Sequence, residues 1–102
     1  MEIIKILSKK ISDEIEDARE YAKMANEYRE TYPETARTLY GISIEEMDHM
    51  SRIHNAVANI IENYRKKNGE PPADMMAVYE YLHREWIDRA AEVKILQAMY
   101  KE

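Results

Sequence analysis

The sequence predicts an all-α protein built from three long helices. Two Gly and three Pro among 102 residues leave few points at which a helix would be interrupted. In addition, apolar residues recur at alternating steps of three and four over three long stretches, the spacing that places side chains on one helix face. The length is that of one domain, so residues 1–102 are expected to form a single helical unit.

The first predicted helix extends from about Ile3 to Tyr32 and carries one unexpected carboxylate. All positions on the face that the spacing predicts to be buried are apolar or aromatic, except Glu14. The face comprises Ile4, Leu7, Ile11, Glu14, Ala18, Tyr21, Ala25 and Tyr28. The other acidic residues of this helix are typical of a solvated surface, whereas Glu14 occupies a position where the pattern favours Leu.

The second predicted helix extends from about Pro33 to Lys67. Pro33 suits the first position of a helix, and Glu34 complements the positive end of the helix dipole. The connection through Thr31 and Tyr32 is short, so the first two helices should form an antiparallel hairpin. Gly41 lies inside the second helix, where it indicates a close helix crossing or a kink.

Two residues able to bind a metal interrupt the apolar face of this second helix. Glu46 and His49 are three residues apart, so their side chains project side by side. The face comprises Leu39, Ile42, Glu46, His49, Ile53, Ala56 or Val57, Ile60 and Tyr64. An unpaired carboxylate in a core costs several kcal/mol or loses its charge, and a bound metal ion would compensate it. The alternative is a helix rotated by one position, with the pair hydrogen-bonded at the edge of the core.

The third predicted helix extends from Pro72 to about Tyr100, after a break in which Gly69 suits a left-handed cap. Its core-facing positions are Met75, Tyr79, Leu82, Trp86, Arg89 or Ala90, Val93, Leu96 and Tyr100. Glu80 and His83 form a second Glu-x-x-His, but Glu80 points away from this face and His83 flanks it. We therefore expect a solvated or interface pair there, and we expect His54 on the second helix to be partly exposed.

Composition excludes several functional classes. The net charge of −5 argues against nucleic-acid binding, and the absence of Cys excludes disulfides, zinc ribbons and iron–sulfur centres. No apolar segment approaches 18 residues and the N-terminus has no signal-peptide pattern, so we expect a cytoplasmic protein with no membrane partner.

The hairpin brings the three unusual residues to a similar depth. Glu14 lies about 18 residues before the turn and Glu46 about 14 after it, a mismatch of roughly 6 Å of helical rise. Two adjacent carboxylates repel each other unless a cation lies between them. Carboxylate and imidazole ligands without a thiolate suit iron or manganese, with zinc as a further alternative.

A Glu followed 32 residues later by Glu46-Met47-Asp48-His49 resembles the first half of the ferritin-like di-iron proteins, such as rubrerythrin, bacterioferritin and the half-length encapsulated ferritins. The resemblance covers residues 3–64. It implies that Glu14 is a terminal ligand, Glu46 a bridging carboxylate and His49 a terminal nitrogen ligand. It also implies roles for Tyr21 and Tyr40 in hydrogen bonding or one-electron chemistry.

One chain supplies only half of the four Glu and two His of a complete di-iron site. The resemblance therefore implies a homodimer, in which two hairpins complete a ferritin-like four-helix bundle holding about two irons. The third helix would pack outside the bundle or mediate assembly into a higher homo-oligomer.

Three functional hypotheses follow. The first is an oxidoreductase that oxidises Fe(II) or reduces peroxide or oxygen, with a small-molecule oxidant as partner; ferroxidase and peroxidase activity are both open. The second is a metal-free ferritin-like module with an interaction or structural role. The third is a metal ion that only holds the dimer together.

Overall fold

The computed structural model describes residues 1–101, which form three α-helices and no strand. Helix α1 comprises Glu2–Tyr28, α2 comprises Pro33–Asn68 and α3 comprises Ala73–Lys101. The prediction of an all-α fold with three long helices is confirmed. The bounds of α2 and α3 lie within one residue of those predicted, whereas α1 ends four residues earlier than predicted.

The connections between the helices are short, and Pro33 and Gly69 mark the two ends of α2. The Tyr32 backbone N–H donates to the Tyr28 carbonyl at 2.8 Å, and α2 then begins at Pro33. At the other end of α2, Gly69 has a φ of 78°, and its N–H donates to the Arg65 carbonyl at 3.0 Å. Its ψ of −162° is extended, so Gly69 has the expected positive φ but lies outside the left-handed helical region.

The core lies where all three helices meet. Half of its eight buried apolar side chains come from α1, with two from each of the other helices: Ile4, Ile11, Ile15, Ala18, Val57, Ile61, Trp86 and Val93. Four methionines, Met1, Met47, Met50 and Met76, pack against this cluster.

Helix α3 packs parallel to α1, along a row of α1 residues spaced by seven. Ser12 accepts a hydrogen bond from Trp86 Nε1 at 3.0 Å, Arg19 pairs with Glu92 at 2.9 Å, and Asn26 donates to the Leu96 carbonyl at 2.9 Å. Because both partners advance along the chain together, the two helices run in the same direction. Helix α3 therefore covers one side of the α1–α2 hairpin.

Ser43 is a polar residue that joins all three helices inside the core. Its side chain is fully buried, and its hydroxyl donates to the Ala18 carbonyl of α1 at 2.7 Å. The same oxygen accepts a hydrogen bond from Gln97 Nε2 of α3 at 2.9 Å.

Two expectations about the helix faces need correction. The buried positions of α2 are Ala36, Ser43, Val57 and Ile61, so its most buried line is rotated from the predicted one by about one residue. The expectation of a close helix crossing at Gly41 is wrong within the chain, because a Cβ added there would have no neighbouring atom within 4 Å.

Within residues 1–101, no helix is both long enough and apolar enough to cross a membrane.

Candidate metal centre

The antiparallel hairpin brings Glu14 of α1 next to Glu46 and His49 of α2. His49 Nδ1 lies 3.5 Å from Glu14 Oε2 and 3.9 Å from Glu46 Oε1. One potential ligand atom from each of the three residues lies within 4.8 Å of the others. Glu14 and Glu46 differ by four residues in their distance from the turn. The length of the side chains and the packing of the two helices compensate this difference.

The cluster lies at the edge of the core of the single chain rather than inside it. The side chains of Glu14 and Glu46 are 22% and 18% exposed, and that of His49 is 48% exposed. The prediction that His49 is buried is therefore wrong for one chain. The physical reason is the rotation of α2, which turns Val57 and Ile61 inward and leaves His49 towards solvent.

The two carboxylates perturb each other. The pKa of Glu46 is raised to about 7, chiefly by a hydrogen bond with Glu14, which requires that one of the two groups carries a proton. Partial burial and the negative charges of Glu14 and Asp17 raise the pKa of Glu46 further, whereas His49 lowers it. Near neutral pH the pair therefore holds a proton where a cation could sit instead.

One oxygen of the pair has no hydrogen-bond partner within the described part of the chain. Glu14 Oε2 is buried from solvent, and its contact with His49 Nδ1 lies outside hydrogen-bond geometry. A buried carboxylate oxygen without a partner is costly. Two carboxylates and one imidazole with an unsatisfied oxygen fit a hard or borderline metal ion such as iron or manganese.

The cluster lies at the middle of a half-buried surface, which we call the open face. The face runs along one side of the hairpin and consists of Leu7, Glu14, Tyr21 and Tyr28 of α1 with Ile42, Glu46, His49, Ile53 and Ile60 of α2. An open depression of about 500 Å³ next to the cluster is lined by Leu7, Ile53 and Ala56 as well as by Glu14 and His49.

Helix α3 cannot cover the open face, because it binds a different side of α1. Ser12, Arg19 and Asn26 contact α3, and each precedes an open-face residue by two positions. Two positions correspond to about 200° around a helix, so the contacts with α3 lie nearly opposite the open face. The apolar neighbours of the cluster consequently remain only half-buried within the chain.

The two tyrosines singled out from the sequence have different surroundings. Tyr21 lies on the open face, two helical turns from Glu14. Tyr40 stacks on Tyr100 of α3, with ring centroids 4.7 Å apart. Because Tyr40 precedes Glu46 by six residues, it projects from a different side of α2.

The sequence pattern did not predict that two of the histidines contact each other. His54 of α2 stacks on His83 of α3 with ring centroids 5.0 Å apart, while Glu80 is exposed as expected. His54 lies fifteen residues before Gly69 and His83 fourteen after it. The two residues are therefore at nearly the same distance from the turn of the hairpin formed by α2 and α3. The argument from depth that linked Glu14 to Glu46 would have found this pair as well.

Comparison with models of protein families, with curated proteins and with solved structures found no match to this chain.

Proposed function

We propose that the chain is a ferritin-like di-metal protein that binds iron at Glu14, Glu46 and His49 and completes the site by forming a homodimer. The observation that carries this proposal is the position of the cluster. A carboxylate–imidazole set with one unsatisfied oxygen lies in the middle of an uncovered, largely apolar face.

A two-fold dimer through the open face supplies what one chain lacks. An isologous interface duplicates each ligand, so two copies bring together four carboxylates and two imidazoles. That number matches a di-iron carboxylate site in a four-helix bundle. The same contact removes from water the apolar side chains around the cluster, which favours association.

Bound Fe(II) would supply electrons, one from each iron that becomes Fe(III), so that the two irons of a dimer could reduce one dioxygen to peroxide or one peroxide to water. The residues of the chain prepare the site for this chemistry. Glu46 would give up its proton on binding a cation, and Glu14 Oε2 would gain the partner that it lacks. Leu7 and Ile53 beside the cluster restrict the access of water once the open face is covered.

The first experiment is metal analysis of the untagged protein purified without chelator, together with its molar mass in solution. About two irons per dimer are expected, because two copies supply one complete di-iron ligand set. Fe(II) oxidation is then followed with dioxygen and with peroxide separately, to identify the oxidant. The absence of bound metal after loading with Fe(II) would contradict the proposal.

The variant Glu46→Gln separates the three functional hypotheses, with Glu45→Gln as an exposed neighbouring control. Loss of metal with retention of the dimer supports the oxidoreductase. Dissociation of the dimer supports a metal ion that only joins the two copies. If neither metal content nor molar mass changes, the cluster is a hydrogen-bonded group without metal.

A metal-free interaction module is the second candidate, and α3 is the surface that favours it. Five large apolar residues of α3 are between 49% and 61% exposed: Val78, Tyr81, Ile87, Ile95 and Met99. Substitution of Ile95 by Glu should then abolish partner binding, and both the unmodified protein and the variant should contain no bound metal.

A further inference from the structure

A groove of about 690 Å³ lies between the beginning of α1 and the beginning of α3. At one end of the groove the Met1 backbone nitrogen lies 3.6 Å from Met75 Sδ, and at the other end Trp86 Nε1 donates to Ser12 Oγ at 3.0 Å. Both contacts join residues that are 74 positions apart, so the two parallel helices keep the same register along the groove. At ~1.5 Å per residue, the distance from Met1 to Ser12 is roughly 16 Å.

The groove has the size and the apolar wall of a small-molecule site. Such sites usually have volumes of about 300 to 1,000 Å³, apolar walls and a few polar groups. The apolar wall of this groove consists of Met1, Ile4, Pro72, Met75, Val78 and Leu82. Val78 is 60% exposed, and a ligand in the groove would remove it from water.

Hydroxyl groups line the half of the groove that Trp86 closes. Ser8 and Ser12 are one helical turn apart, and Lys9 lies next to Ser8 in the lining. Ser8 is only 6% exposed, and its hydroxyl has no hydrogen-bond partner among residues 1–101, unlike that of the buried Ser43. Ser12 Oγ accepts the hydrogen bond from Trp86, which leaves its own hydrogen able to donate.

The charges around the groove favour an anion. Lys5 lines the groove and has no ion pair within residues 1–101, and Lys9 pairs with Asp13 at 3.2 Å in an exposed contact. Exposed pairs of this kind contribute little free energy, so Lys9 can exchange its partner. Asp74 also lines the groove, but its carboxylate accepts a hydrogen bond from the Met75 N–H at 2.9 Å and so lies at the opposite end.

We propose that this groove binds a fatty acid, with the alkyl chain against Val78 and the carboxylate near Ser8 and Lys9. The chain gains free energy by leaving water, and hydroxyl and ammonium donors stabilise the carboxylate. The groove lies on the side of α1 away from the open face, since Ser12 precedes Glu14 by two residues. The assignment therefore depends neither on the metal centre nor on the dimer.

The test is a calorimetric titration of the full chain with decanoate, below the critical micelle concentration, at physiological ionic strength and with chelator present. About one decanoate per chain is expected, because each chain has one such groove. Decyltrimethylammonium has an alkyl chain of the same length and the opposite charge. It should bind about 5-fold more weakly or worse, because it replaces an ion pair with Lys9 by repulsion.

The carboxylate end is tested with Lys9→Gln, and Lys10→Gln is its exposed neighbour outside the groove. Lys9→Gln should weaken decanoate binding by about 2- to 5-fold, the effect of losing one exposed ion pair. It should not weaken the binding of decyltrimethylammonium. Lys10→Gln should change the binding of neither compound.

The apolar end is tested with Val78→Glu, which places a carboxylate against the alkyl chain. This variant should weaken decanoate binding by more than ~10-fold. Ile95→Glu changes an apolar residue of α3 that is similarly exposed and lies outside the groove, so it should bind decanoate normally.

Nuclear magnetic resonance of the methyl groups gives a second measurement that needs no variant. Decanoate should shift the signals of Ile4, Val78 and Leu82 and leave that of Ile60 on the open face in place. The proposal is overturned if decanoate does not bind, if decyltrimethylammonium binds as tightly, or if the Ile60 signal is the one that moves. It is also overturned if Val78→Glu lowers the molar mass of the ligand-free protein, because a second copy would then occupy the groove.

Discussion

At the residue scale, the proton on Glu46 determines how the proposed metal binding should depend on pH. Its pKa of about 7 means that the carboxylate pair holds a shared proton over the acidic half of the physiological range. A metal ion must displace that proton, since ligating carboxylates are deprotonated. Metal affinity should therefore increase as the pH rises towards and beyond 7.

The same proton makes the stability of the metal-free protein depend on pH. Because the folded pKa of Glu46 lies above its ordinary value of 4.5, its protonation stabilises the folded state fully below pH 4.5. This contribution is lost as the pH rises from 4.5 to about 7. After allowance for solvent screening, the loss in unfolding free energy should be about 1 to 2 kcal/mol.

Chemical denaturation across this pH range, with chelator present, measures the effect. Glu46→Gln mimics the protonated side chain, so its unfolding free energy should change less with pH than that of the unmodified protein. Glu45→Gln, at an exposed position, should follow the unmodified protein. Parallel curves for all three proteins would show that the two carboxylates do not share a proton.

A second prediction at this scale concerns Ser43. Its hydroxyl joins the Ala18 carbonyl to Gln97 Nε2 inside the core. Ser43→Ala removes both hydrogen bonds and leaves the Gln97 amide without this partner, so it should lower the unfolding free energy by ~1 to 3 kcal/mol. The control Ser51→Ala, at an exposed position of the same helix, should have little effect on the denaturation midpoint.

At the element scale, Gly41 weakens α2 without a packing reason within the chain. It lies inside the helix, and an added Cβ would contact no neighbouring atom within 4 Å. Gly41→Ala should therefore stabilise the protein by about 1 kcal/mol through helix propensity. For a domain of this size the melting temperature would rise by about 4 to 8 °C. A fall would indicate that a second copy packs closely at this position.

The sequence predicted the helices well because their signals are local. Pro33 and Gly69 mark the ends of α2, and the unbroken spacing of three and four identifies each helix interior. The proximity of Glu14 to Glu46 could also be anticipated, since antiparallel pairing relates depth to distance from the turn. These inferences need only helix geometry and chain connectivity.

The degree of burial could not be predicted in the same way. Ser8 and Ser43 are buried polar residues, which an apolar pattern does not count, whereas Leu7 and Tyr21 are apolar or aromatic but only half buried. A line of apolar residues shows that a surface is covered by something, and it does not show whether the cover is α3 or a second copy. For this reason the sequence pattern did not predict the rotation of α2 or the exposure of His49.

At the scale of the whole molecule, the hairpin has two unlike sides. One side is covered by α3 through the Trp86–Ser12 hydrogen bond and the buried side chains around it. The other is the open face, with the Glu14, Glu46 and His49 cluster at its middle. A second copy on the open face would cover the exposed apolar groups and supply the missing ligands in a single contact.

The last prediction tests whether dimerisation and metal binding depend on each other. Ile60 lies on the open face, eleven residues after His49, or roughly 16 Å along the helix. Ile60→Glu therefore places a charge in the proposed dimer interface without altering Glu14, Glu46 or His49. We expect it to lower the molar mass to that of the monomer and to reduce iron binding. Ile95→Glu, which is 61% exposed on α3, should change neither property.

Molar mass by light scattering and iron content measured on the same samples distinguish the outcomes, with circular dichroism to verify that both variants remain helical. An Ile60→Glu monomer that still binds iron normally would mean that Glu14, Glu46 and His49 of one chain form the complete site. An Ile60→Glu dimer would place the interface elsewhere on the molecule. Loss of the dimer and of iron in this variant alone would assign the metal centre to the contact between two open faces, because only there do two sets of ligands meet.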